Sequence, residues 1–338
     1  MTPDGWREIV GASRRTWLVT GGAGFIGSHL VAALLSAGQR VRCLDNFATG
    51  RRENLEEVTA GAGEAFELVE GDIRDPATCA GACRGVDLVL HQAALGSVPR
   101  SIQDPITSHE VNVTGFLQVL RAAHQAGVRR VVYASSSSVY GDHPVLPKVE
   151  DQVGRQLSPY AASKFADEVY AHAFAASYGL ELVGLRYFNV FGPRQDPSGP
   201  YAAVIPLWFQ ALLTGAPAHI NGDGLTSRDF CYVDNVVQVN LRAATIPATG
   251  ASNRVYNVAC GERTTLRDLF ELIRGHVAAV RPAAAAVEPV AREFRAGDVR
   301  HSLADISLAR KQLGYAPSHT VRQGMAETAR WYVNRAGR

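Results

Sequence analysis

The segment TGGAGFIG at residues 20–27 constrains this chain more than any other stretch. The apolar run at 17–20 ahead of it reads as a buried parallel strand. Residues 25–37 behind it read as a helix that Gly38 ends. Gly22, Gly24 and Gly27 fit the G-x-G-x-x-G spacing, and Gly21, Gly24 and Gly27 fit the looser G-x-x-G-x-x-G. Glycines so placed let a pyrophosphate approach the backbone and rest on the free N–H groups of the helix N-terminus. A second strand, 40–45, ends in Asp45, at the spacing where a carboxylate accepts from the ribose hydroxyls. That carboxylate repels a 2′-phosphate and predicts NAD rather than NADP. Arg51 and Arg52 are the competing signal.

A second motif, YAASK at 160–164, supplies the chemistry. Ser158 is a good N-cap and Pro159 suits the first helical position. Tyr160 and Lys164 then share one face of the first turns. A tyrosine with a pKa of about 10 is a poor base at neutral pH. A nearby ammonium and a positive nicotinamide ring stabilise its phenolate. Lowering that pKa by about three units requires roughly 4 kcal/mol of differential interaction. Tyr160 can then take a hydroxyl proton while hydride leaves the same carbon. The serines at 135–138 end the preceding strand and offer a hydroxyl to the substrate oxygen. One or two of them at most can do so, because serines in turns bond their own backbone.

Strands alternate with helices across the first half. Strands are expected at 66–70, 86–91, 130–135 and 180–186, and a helix at 106–126. This rhythm predicts an α/β fold, a doubly wound parallel sheet of the Rossmann type, with ligands at the C-terminal strand ends. The texture changes after 193, where Pro and Gly become frequent. Residues 1–190 are therefore assigned to the cofactor domain, with about 232–260 returning to it, and 191–338 to a smaller substrate-binding domain. The alanine- and proline-rich stretch at 280–291 reads as a loop or an edge. A hydrophobic content of 46% and a formal net charge of +2 indicate a globular chain with no case for nucleic acid or membrane partners. Five cysteines without a completing histidine, and no apolar leader, point to reduced thiols, no metal site and a cytoplasmic protein.

These motifs resemble the extended short-chain dehydrogenase/reductases, and within them the nucleotide-sugar 4-epimerases, over residues 17–329. The resemblance implies cofactor contacts from Gly21, Gly24, Phe25, Ile26, Gly27, Asp45, Asn46, Asp72, Ile73, Gln92, Ala93, Ala94, Asn112, Tyr160 and Lys164. It implies that Tyr160 is the base, that Lys164 binds the nicotinamide ribose, and that Ser136 bonds the reacting oxygen. A UDP-sugar would meet Ser97, Ser136, Ser137, Ser138, Tyr160, Asn189, Gln195, Ala203 and Val204. Arg228, Arg295 and Asp298 match segments that hold the nucleotide diphosphate, where a guanidinium forks onto phosphate.

Related dehydratases and decarboxylases carry carboxylates beside the catalytic hydroxyl. Here those positions are Ser137 and Ser138, which favours epimerisation. Ser302 stands where strict glucose/galactose epimerases have a bulky tyrosine, which implies room for a 2-acetamido group and likens the chain to UDP-N-acetylglucosamine 4-epimerases. Enzymes acting on UDP-uronic acids share the resemblance. An NAD-sensing regulator with no reaction remains a different class of reading, although this chain retains both Tyr160 and Lys164. The family also implies a homodimer through the helices at 106–126 and 159–178, the second offering Ala166, Val169, Ala173 and Phe174.

Overall fold

A computed structural model describes residues 5–198, 202–247, 250–294 and 299–337. The parallel sheet contains β1 (Thr16–Thr20), β2 (Arg40–Asp45), β3 (Phe66–Glu70), β4 (Leu88–His91), β5 (Arg130–Ser136) and β6 (Glu181–Tyr187). The chain then leaves through β7 (Val190–Phe191), β8 (His219–Asn221), β9 (Ser227–Arg228) and β10 (Cys231–Tyr232). It returns as β11 (Arg254–Val258), and β12 (Thr264–Thr265) and β13 (Val290–Arg292) follow. The large sheet runs β11-β6-β5-β4-β1-β2-β3. All its pairs are parallel, with Thr20 opposite both Leu44 and His91, and Ser136 opposite Tyr187. Strand order reverses between β1 and β4, so a crevice opens there at the C-terminal ends.

Helices cover both faces. One face carries α1 (Trp6–Gly11), α2 (Phe25–Ser36), α3 (Arg52–Thr59) and, from late in the chain, α10 (Val233–Thr245). The other carries α4 (Pro76–Cys83), α7 (Gly115–Gln125) and α8 (Pro159–Tyr178), with α5 (Val98–Gln103) and α6 (Pro105–His109) packed on the start of α8. The central strands β1, β4, β5 and β6 are buried on both faces, whereas the edge strand β3 has no buried residue. A separate core around Trp208, Phe209, Phe270 and Met325 joins α9 (Val204–Thr214), α11 (Leu266–Ala278) and α13 (Val321–Ala336). The short helix α12 (Ser307–Leu313) packs on β11.

One expectation changes. The helix expected at 106–126 is broken into α6, a π-turn at Glu110–Thr114 and α7. The stretch at 280–291 forms a 3-10 turn, Pro282–Ala286, and then β13, which pairs in parallel with β8. No helix among the described residues is long and apolar enough to cross a membrane.

Candidate active site

The strand ends and the glycine turn enclose a cavity of about 530 Å³. Gly21 has φ +68°, and a Cβ there would stand 2.7 Å from the Ala93 nitrogen. A Cβ on Gly27 would collide with the Gly21 carbonyl oxygen, so only glycine lets α2 begin this close to the turn. Gly24, the N-cap of α2, provides no side-chain cap. The first-turn N–H groups are thus left to an anion, beside the Gly21, Gly24, Phe25, Ile26 and Gly27 that line the cavity.

Asp45 closes β2 on the same wall. Its oxygens accept from the Ala23 N–H at 2.9 Å and the Phe47 N–H at 2.8 Å. Burial raises its proton affinity and these two bonds oppose the rise. Each oxygen keeps a lone pair for a ribose hydroxyl. Arg51 is engaged by Asp196 at 2.7 Å and Arg52 by Glu70 at 2.5 Å. Asn46 donates to Asp72 at 3.0 Å. Arg74 holds the Asp72 carboxyl down to about 2. These residues, with Ile73, Gln92, Ala93 and Ala94, complete the dinucleotide side of the wall. This cradle, a capless helix start and a ribose-level carboxylate fit NAD.

The other end of the cavity is lined by Ser136, Tyr160 and Lys164. The Ser158 hydroxyl accepts from the Ala161 N–H at 3.1 Å and starts α8. The Ser101 hydroxyl accepts from the Tyr160 N–H at 3.0 Å, which ties α5 to the same turn. Lys164 is buried and donates to the Ala134 carbonyl at 3.1 Å and to Asp167 at 3.2 Å. His91, at the end of β4, meets the Thr20 hydroxyl at 2.8 Å. Burial and the Lys164 ammonium push its pKa down to about 3, so it stays neutral.

The four serines separate by role. Ser135 donates to Glu168 at 2.5 Å and braces the helix. The Ser136 oxygen accepts from the Ser138 N–H at 3.1 Å and the Ser138 hydroxyl at 3.0 Å. Ser137 and Ser138 form the turn behind the wall and are not among its lining residues. Asn112 is also off the wall. It is buried in the π-turn, where its amide accepts from the Leu95 N–H at 2.7 Å and donates to Ser163 at 3.0 Å. It positions the loop after β4 through its bonds to Leu95, which lines the cavity.

Asn189, Val190 and Gln195 line this cavity and also a second one, of about 1060 Å³, in the smaller part of the chain. Ser97, Ala203, Val204 and Arg228 line the second cavity. Asp229 secures the Arg228 segment by accepting from the N–H groups of Cys260, Gly261 and Ala304 at 2.9, 3.0 and 3.2 Å. Ser302 is half-buried, and its N–H bonds the Ser227 carbonyl at 3.0 Å. This pairing holds it beside β9, off both walls. Arg295 and Asp298 lie outside the described residues. Thr49 and Gly50 also line the first cavity, signalled by no motif beyond a second glycine-bearing turn.

A model of the NAD dependent epimerase/dehydratase family matches residues 17–259. A UDP-glucose 4-epimerase of Mycolicibacterium smegmatis is 41% identical, over 94% of this chain and 99% of that relative. A solved UDP-N-acetylglucosamine 4-epimerase from Methanobrevibacter ruminantium M1, in complex with UDP-N-acetylmuramic acid, superimposes with a TM-score of 0.86 at 37% identity, over 96% of this chain and 99% of that one. A dTDP-glucose 4,6-dehydratase from Streptomyces venezuelae, solved with NAD bound, gives 0.84 at 34% identity, over 95% and 98%.

Proposed function

Because this chain belongs to the NAD dependent epimerase/dehydratase family, we propose that it is a UDP-sugar 4-epimerase. The observation that carries this reading is one continuous wall. Ser136, Tyr160 and Lys164 share a cavity with the glycine turn, and that cavity meets the Arg228 cavity at Asn189, Val190 and Gln195.

The Ser136 hydroxyl donates to the oxygen on C4. The Tyr160 phenolate takes the C4 hydroxyl proton and later gives it back, so no net proton is consumed. Lys164 brings its ammonium to the same cavity. NAD would be held by the Gly21–Gly27 turn and Asp45, and would supply the hydride acceptor and donor for C4. Arg228 holds the diphosphate while the sugar turns over in the larger cavity.

Elimination of water from the sugar requires an acid/base group besides the tyrosine. The carboxylates on the first wall are Asp45 and Asp72, at the ends of β2 and β3, and the second wall offers Glu293. Among the described residues none stands with Ser136, and this favours epimerisation over dehydration or decarboxylation.

For the sugar itself, we read UDP-GlcNAc and UDP-GalNAc as the preferred pair. The small side chains of Ser97, Ala202 and Ala203 along the second wall, and the solved N-acetylhexosamine relative, support that reading. Incubation of the purified protein with UDP-GlcNAc, UDP-Glc, UDP-glucuronate and their 4-epimers, followed by NMR of the products, tests it. Faster turnover of UDP-Glc or of UDP-glucuronate reassigns the sugar. No turnover of any of them removes the epimerase assignment.

A further inference from the structure

Asp167 lies three residues beyond Lys164 on the same face of α8, and both side chains are almost fully buried. One carboxylate oxygen accepts from the Lys164 ammonium at 3.2 Å. The other is buried without a partner. An orphaned oxygen beside a buried charge is costly to maintain. Lys164 uses a second N–H on the Ala134 carbonyl, which leaves one for the cavity it lines.

We propose that Asp167 is a positioning residue: it holds the Lys164 ammonium on its inner side and sets the pH at which Tyr160 becomes a base. The proposal rests on the reading of Tyr160 as the acid/base group.

The surrounding groups leave Asp167 as the nearest counter-charge of Lys164. Glu168, the next residue on α8, is bound by Arg186 of β6 at 2.9 and 2.7 Å, so those two charges satisfy each other. Tyr133 of β5 is buried and stays neutral. His91 of β4 is neutral as well. Burial pushes the Asp167 carboxyl up to about 7, against the pull of Lys164. Ionised Asp167 partly cancels the ammonium that stabilises the Tyr160 phenolate. Protonation of Asp167 releases the full positive charge. The two groups therefore titrate as a coupled pair, and the carboxylate moves the phenolate to higher pH.

The test is the phenolate absorbance of Tyr160 against pH, taken as the spectrum of each protein minus that of its Tyr160→Phe counterpart. Asp167→Asn should move the midpoint to lower pH, by at least about half a unit. Asp167→Glu should restore the original midpoint. Asp167→Ala deletes the same charge and gives the same readout if the amide variant folds poorly. The acid limb of kcat/KM should move with the absorbance. An unchanged midpoint, or a shift to higher pH, overturns the proposal. A wild type inert on every UDP-sugar counts against the epimerase reading alone, since the absorbance titration needs no turnover.

Discussion

At the scale of single residues, the site depends on charges that burial makes expensive. Tyr160→Phe deletes only the hydroxyl that carries the proton. The variant should fold, keep NAD and lose at least about two orders of magnitude in turnover; near-normal activity would assign the proton to another group. His91 and His29 are both held near 3, His29 by burial and by Arg194. The unfolded chain has ordinary histidines, with a pKa of about 6.5. Between about 6.5 and 3 the unfolded state therefore binds protons that the fold refuses, and stability falls as pH falls through that window. For His91 alone the loss between pH 7 and pH 4.5 is about 3 kcal/mol. Urea unfolding at the two values should show His91→Asn losing about that much less than the wild type; equal losses would place the titration elsewhere. Residue types at the wall were legible from the chain because motifs specify them. Their buried partners were not, since the Thr20–His91 contact and the unpaired Asp167 oxygen depend on side chains converging through the fold.

At the scale of elements, the loop after β7 is pinned across the mouth of the cofactor cavity. His29 of α2 meets the Pro193 carbonyl at 2.9 Å, Arg194 donates to Ser28 at 3.0 Å, and Arg51 grips Asp196 at 3.0 and 2.7 Å. Gly50 and Gln195, the neighbours of that last pair, both line the cavity. Arg51→Ala should release NAD about 2- to 5-fold faster, as suits a half-exposed ion pair, and added salt should narrow the difference. Retention after desalting, followed by cofactor absorbance, measures it; identical release rates would leave the pair without a part in holding the cofactor. The π-turn at Glu110–Thr114 has a similar lesson. Apolar spacing carries through one inserted residue almost unchanged, so 106–126 reads as a single helix. The insertion is what turns Asn112 inward onto Leu95.

At the scale of the whole molecule, Ile102 and Ile106 of α5 and α6 are 63% and 69% exposed, and Val169 and Tyr178 of α8 are 55% and 53% exposed. Phe174 turns inward, against the core beneath the sheet. We propose that Ile106 and Val169 belong to a surface that a second copy of the chain covers. Light scattering at micromolar concentration should give twice the chain mass, and Ile106→Arg with Val169→Arg should give one; a wild type of single mass would exclude the dimer. The alternation of strands and helices made the sheet legible from the chain. Its closure is another matter, because β11 pairs with β6 only after the excursion through the smaller part, with Tyr256 opposite Leu185. This has a consequence for how such a protein can be cut or shuffled. A fragment stopping near residue 190 would leave the β6 backbone as a bare edge, ready to recruit a neighbour's strand. It would also lose α10 from one whole face. Swapping the substrate region between relatives as a cassette would therefore have to carry two splice points, on either side of 232–258, since a single crossover sets a relative's β11 and α10 against this chain's β6 and α2.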